Sequence, residues 1–428
     1  MIRHLLLATL APLALVAAAP AAASELGAIA EAFVKLTLDA GEREPGYVDA
    51  YYGPAEWQTA AKANPRDVAT LAKDADALQA RLGAIDPKSL SADEQRRRIF
   101  LVGQVRAAQT RLAMMQGKKL KFVDEAEGLF GIRPELKPLS YYDGVLAKIE
   151  ALLPGEGSLG QRVAAYHQPS LVPHDKLEPV FRAAIAECRA RTMKYISLPA
   201  NEKFDLEMVT KQPWSGYNWY KGNAHSLIQV NTDMPVTVGR AIDLGCHEGY
   251  PGHHALNARL EQELAKGKGW VEFTVYPLYS PQSFLAEGSA NAGIKLAFPG
   301  EEQAAFEKAT LFPLAGLTPP TARENAALDA ALGDLRHAAL TVQQQYLDGE
   351  IDRDTAIQLL AKYGMTSPEG AARGLPFVEK YRSYVINYGL GEEMVTASLN
   401  AGNPSREERW ARMKHIISEP TVPADLTR

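Results

Sequence analysis

Apolar residues recur every three or four positions along most of this chain, the period of a helix with one buried face. Leu26, Ile29, Phe33 and Leu36 make such a stripe over 25–40, and Val68, Leu71, Ala75, Leu78 and Leu82 make another over 66–82. Ser91 followed by Glu94 reads as a capping box, which predicts a long helix through Ile99, Val102, Val105 and Leu112 that stops near Gly117. The same period predicts helices at 141–153 and 176–197, from about 284, and at 302–316, 322–349, 351–363, 375–388 and 405–417. A second capping pair, Ser405 and Glu408, opens the last of these. Tyr47–Trp57 reads as an irregular aromatic segment, and 154–175 and 266–283 read as loops. The period shortens between about 200 and 240. Phe204–Val209 and Ser226–Asn231 are rich in β-type residues, and the turn-like, aromatic Pro213–Tyr220 lies between them. The prediction is a mainly α protein with one small sheet. One domain spans 24–428, as a helical part to about 200, a sheet-bearing part to about 300 and a helical remainder.

Composition adds little to this picture. With 46% hydrophobic and 23% charged residues, the 428-residue chain has the balance of a globular protein. Its net charge of −5, with no basic tract, argues against nucleic-acid or anionic-membrane partners. The N-terminus stands apart. Arg3 and His4 lead into an apolar run from Leu5 to about Ala19, and Ala21-Ala22-Ala23-Ser24 supplies small residues. That is the pattern of a cleavable signal peptide over 1–23, which implies a periplasmic or secreted protein with no membrane attachment after cleavage. Two cysteines, Cys188 and Cys246, are compatible with one disulfide in an exported protein. Their proximity is not readable from sequence, and a buried, unpaired thiol is the expectation for each.

The candidate chemistry lies in Asp243–Leu256, which reads D-L-G-C-H-E-G-Y-P-G-H-H-A-L. Three of the nine histidines, His247, His253 and His254, fall here, with Glu248 directly after the first. Imidazoles beside a carboxylate are what a divalent metal such as Zn2+ requires. The pattern is close to H-E-x-x-H, in which two histidines one turn apart bind zinc and the glutamate is the general base. Pro251 and Gly252 occupy the place of the second histidine. On an unbroken helix His247 and His254 would share a face but sit about 10 Å apart along the axis. Pro251 interrupts the helix and Gly252 permits unusual dihedrals, so the chain can return a later histidine to the face of His247. His253 is the preferred ligand, with His254 as the alternative or as a supporting contact. For a third ligand the best candidate is Glu287, set among small apolar residues in S-F-L-A-E-G-S-A-N-A-G. Asn291, four residues on, shares its helical face and can hold a ligand histidine.

H-E-G-Y-P-G-H-H, followed some forty residues later by A-E-G-S-A-N, resembles a bacterial family of uncharacterised function whose signature is H-E-x-x-P-G-H-H and which is grouped with the gluzincin metallopeptidases. Q-P-W-S-G-Y-N-W-Y-K-G-N-A-H-S-L-I-Q-V-N and Y-V-D-A-Y-Y-G-P are similar to that family as well. The resemblance implies a zincin-like helical metallohydrolase fold with a small sheet beside the active-site helix and a deep cleft. It also implies one Zn2+ ion on His247, His253 and Glu287, with Glu248 as base and a peptide or other small amide as substrate. Two departures stand out: Ser289 where members usually carry Trp, and Asn291 where gluzincins commonly carry Asp. Tyr381, Tyr384 and Tyr388 fall on one helical face, which makes Tyr384, or in its place Tyr388, the expected oxyanion donor. Arg382 is a candidate for a substrate carboxylate, with Arg373 as its alternative. His225, on the strand before the motif, is a candidate for substrate contact, because zinc peptidases of this class pair an edge strand with the peptide. The same residues would also serve a hydrolase of a non-peptide amide or ester, or a non-catalytic helical protein stapled by a metal.

Overall fold

The computed structural model describes residues 21–212, 214–318 and 322–427. Of the segment 1–23 expected as a signal peptide, residues 1–20 lie outside the described residues, and Ala21 opens the first helix, Ala21–Arg43. The architecture is mainly helical, with two small sheets. The predicted capping boxes are present: Ser91 Oγ accepts from Glu94 N–H, and Ser91 N–H donates to Glu94 Oε2. Ser405 and Glu408 make the same exchange at the head of Arg406–Ile416. These caps satisfy N–H groups that a helix start leaves orphaned.

Several expectations change. Tyr47–Trp57 is not irregular. It contains strand β1 (Val48–Tyr51), and a helix begins at Ala55. The supposed loop 154–175 holds helix Leu159–His167, capped by Ser158 and Gln161. Only Val163 of that helix is buried, so it carries no stripe to read. The small sheet has three strands, β2 (Lys203–Val209), β3 (Gly216–Tyr220) and β4 (His225–Asn231), because the aromatic stretch taken as a turn is itself a strand. The helix expected over 375–388 is two helices, Pro368–Tyr381 and Ile386–Asn400, separated by a 3-10 turn, Arg382–Val385. Arg382 makes the break with φ +52. Apolar spacing continues across the turn, so periodicity alone does not reveal it.

In the three-stranded sheet β4 is central, parallel to β2 and antiparallel to β3. β5 (Val275–Pro277), inside the second supposed loop, pairs antiparallel with β1. The centre of the molecule is the helix Pro281–Ala297, called here the glutamate helix. Its residues 281–290 are all buried, as expected of a helix packed on every side. It packs on Ile386–Asn400 and on Val238–Glu248, the motif helix. A disulfide joins Cys188, on helix Leu177–Thr192, to Cys246 of the motif helix, which corrects the expectation of unpaired thiols. The two cysteines are 58 residues apart in sequence, and only helix packing brings their Cα atoms to 5.4 Å.

Candidate metal centre

The motif helix starts at Thr237, whose side chain caps Arg240 N–H, and ends on Glu248. The backbone then leaves the helical path through Gly249 and a cis Tyr250–Pro251 bond. It returns at Gly252, whose N–H reaches the Cys246 carbonyl at 3.2 Å. A new helix, His253–Leu260, begins with His253 itself. Gly252 is required by close approach: a Cβ there would lie 1.8 Å from the His247 carbonyl oxygen. Pro251 packs where a Cβ on Gly293 of the glutamate helix would meet its ring at 2.5 Å. The insertion is thus looped out between two helices, and His253 comes back beside His247.

His247 Nε2 and His253 Nε2 are 3.1 Å apart. Glu287 Oε2 is 3.1 Å from the first and 3.6 Å from the second. Tetrahedral zinc with bonds near 2.0–2.1 Å separates its ligand atoms by about 3.3 Å, so the triangle has the right size. Glu287 Oε2 is buried and makes no well-aligned hydrogen bond. A carboxylate oxygen left in that state is costly unless a cation faces it. Burial opposes the Glu287 charge, but the His253 charge and contacts from both imidazoles outweigh it and hold the carboxyl far below its usual range. Burial likewise disfavours charge on His253, yet Glu287 raises that imidazole to about 9. The cluster attracts positive charge, and its two-imidazole, one-carboxylate donor set fits Zn2+.

The supporting contacts are specific. His247 Nδ1 donates to Asn291 Oδ1 at 2.8 Å, which leaves Nε2 with its lone pair toward the cluster. Asn291 Nδ2 donates to the Tyr388 carbonyl at 3.1 Å, which orients the amide. The Tyr384 hydroxyl donates to Glu287 Oε1 at 2.7 Å. Glu248 is buried, and burial pushes its carboxyl above the ordinary value against the opposing charges of His247 and His253. A Cβ on Gly216 would lie 2.9 Å from Glu248 Oε1, so a side chain on β3 would crowd this carboxylate. Asn218 of β3 donates to the Glu248 carbonyl at 2.6 Å and satisfies the end of the motif helix.

His254 is placed elsewhere. It is fully buried, with Nδ1 2.8 Å from Ser226 Oγ and Nε2 3.1 Å from Glu202 Oε2. It ties the start of its helix to β4 and is not beside the other two histidines. His225 and Arg382 are not at the site either. Residues alternate faces along β4: Ser226, Ile228 and Val230 are buried, while His225 points the other way and pairs with Asp205 of β2 at 2.7 Å. Arg382 donates to Glu125 Oε2 at 2.7 Å, and Glu125 Oε1 accepts from Ser383 N–H and Oγ. This pair anchors the turn that carries Tyr384. Tyr388 is half-buried, its ring edge-on to Tyr384 at 5.8 Å. Burial and the charges of Glu287 and Glu248 keep its hydroxyl protonated, well above the usual tyrosine range.

A cavity of about 1200 Å³ opens onto His247, Glu248, His253, Glu287 and Tyr388. A second cavity, of about 1490 Å³, shares Arg240, Asp243, Lys295, Arg336 and Glu392 with it but has none of the three clustered ligands in its wall. Two wall residues carry no sequence signal of a role, although both lie in segments that carry the resemblance. Asp49 of β1 accepts a hydrogen bond from the Tyr217 hydroxyl of β3, and burial pushes its carboxyl up to about 6 against that bond. No spacing rule links residues 49 and 217, which only the folded chain brings together.

No protein-family model matches the chain, and no curated protein matches it. Among solved structures it is similar to one described as "the putative lipoprotein from Colwellia psychrerythraea", with 16% identity and a TM-score of 0.47 over 81% of this chain. The chain spans 66% of the length of that protein. It is also similar to the M32 carboxypeptidase from Deinococcus radiodurans R1, with 14% identity and a TM-score of 0.36, covering 94% of this chain and 93% of that one. At these TM-scores neither likeness carries an argument about chemistry. The reading of the site rests on its own geometry.

Proposed function

We propose that this chain is an exported, zinc-dependent metallopeptidase of the gluzincin-like family marked by H-E-x-x-P-G-H-H. The observation that carries the reading is the triangle of His247 Nε2, His253 Nε2 and Glu287 Oε2, with sides of 3.1, 3.1 and 3.6 Å, next to the buried Glu248. Zinc on these three residues supplies Lewis acidity, polarising a carbonyl and lowering the pKa of water toward neutrality. Glu248, whose carboxyl is already raised by burial, takes the proton from the attacking water and passes it to the leaving amine. Tyr384 is committed to Glu287, so its role is to hold that ligand, and Tyr388 is the donor to the developing oxyanion. β3 is an edge of its sheet and lines the cavity, so it takes the place given to the strand of His225 as the partner of an extended peptide. The cavity of about 1200 Å³ is, on this reading, the cleft of the fold. The disulfide fits an oxidising compartment.

The test is zinc content together with hydrolysis of a mixed peptide library. Wild type binds one zinc and cleaves. Glu248→Gln binds zinc and loses activity. A Glu248→Gln protein with normal rates overturns the mechanism.

A further inference from the structure

Four lysine and arginine side chains line the cavity: Arg240, Lys295, Arg336 and Lys380. Three have other engagements. Lys295 and Arg336 pair with Glu392 at 2.7 and 2.8 Å, and Lys380 lies over the Tyr381 ring at 5.0 Å. Arg240 differs. Its nearest carboxylate among the described residues is Asp243, at 3.9 Å, beyond hydrogen-bond distance. Its guanidinium is steered instead by Ser215 Oγ at 3.2 Å, and its side chain is 48% exposed.

Its placement relative to the metal cluster is defined twice. On the motif helix Arg240 precedes His247 by seven residues, which puts it on the same face and about 10 Å along the axis. On the sheet side, Arg240 touches Ser215 while Glu248 lies against Gly216, the next residue of the chain. An extended peptide advances about 3.3 Å per residue, so a rise of about 10 Å corresponds to about three residues of substrate. A guanidinium presents a planar fork of donors suited to a carboxylate.

We infer that Arg240 anchors the C-terminal carboxylate of a short peptide, so that cleavage falls within about three residues of a free C-terminus. This rests on the peptidase reading and narrows its substrate class. Ser215 holds the fork in position, and β3 delivers the chain end to it.

The test compares one hexapeptide as free acid and as C-terminal amide, with zinc-loaded wild type, Arg240→Met and Arg240→Lys, all checked for an unchanged thermal melt. Wild type is expected to favour the acid by about 10- to 100-fold in kcat/KM, the range of a charge-assisted hydrogen bond. That ratio collapses toward one in Arg240→Met and survives in part in Arg240→Lys. Equal rates on acid and amide by wild type, or an acid preference that persists in Arg240→Met, overturn the inference while leaving a peptidase. If wild type cleaves neither these peptides nor the mixed library, the peptidase reading fails, and calorimetric binding of both peptides to zinc-loaded Glu248→Gln decides the role of Arg240. Tighter binding of the acid, lost on adding Arg240→Met, supports it. Equal or absent binding overturns it.

Discussion

Replacing Gly252 by alanine tests how the motif works, because it adds one methyl group and removes no ligand. The new Cβ would lie 1.8 Å from the His247 carbonyl oxygen and 2.5 Å from that of Cys246. Ordinary contact begins at about 3.4 Å, so the backbone must open by about 1.5 Å. The bond from Gly252 N–H to the Cys246 carbonyl, at 3.2 Å, cannot survive that movement. His253 is the next residue and moves with it. Zinc sites tolerate errors of only about 0.2 Å in ligand distance, so the triangle ceases to be a three-ligand site. We expect zinc affinity to fall by at least about 100-fold, beyond the effect of losing a supporting contact, together with about 1–3 kcal/mol of stability from overpacking. The assay is zinc retention in chelator-buffered solution, with circular dichroism to confirm the fold. Gly83→Ala is the control, since a Cβ there meets nothing within 4 Å. A Gly252→Ala protein that binds zinc as wild type does would refute the account of how His253 is returned to His247.

Further expectations follow from the same structure. Asn291→Ala frees the His247 ring and should weaken zinc binding about 10- to 100-fold, measured by competition with a chromogenic chelator. Tyr388→Phe should lower kcat with little change in zinc content, by about 100-fold if its hydroxyl meets the oxyanion; an unchanged kcat removes it from the mechanism. Burial raises the Glu202 carboxyl, but bonds from His254, Tyr250 and Arg189 outweigh this and hold it near 2. Its folded pKa is depressed, so its contribution is complete above the unfolded value of 4.5 and is lost as pH falls toward about 2. Denaturant titrations of metal-free protein over that window should show a shallower acid loss for Glu202→Gln than for wild type. Removing the disulfide through Cys188→Ala with Cys246→Ala should cost about 4 kcal/mol by the chain-entropy account for a 58-residue separation, measured as the denaturation midpoint.

Much of this protein was legible along the chain. Helix stripes at Leu26–Leu36 and Val68–Leu82 need only local periodicity, and the pairs Ser91–Glu94 and Ser405–Glu408 are local chemistry. The concentration of His247, Glu248 and His253 marks the candidate site, and the four-residue helical spacing from Glu287 points to Asn291, which contacts His247. Short elements with little buried surface, such as Leu159–His167, left no such trace.

What the sequence determined was composition of the site and the break that Pro251 and Gly252 impose. Tertiary structure decided which histidine the break delivers. His253 begins a new helix toward Glu287, and the next residue, turned about 100° away, meets Ser226 and Glu202. It also decided that Cys188 meets Cys246, that β3 and not the strand of His225 lines the cavity, and that Arg382 serves Glu125. Each of these depends on contacts between residues far apart in the chain, and spacing along one element carries no information about how two elements pack.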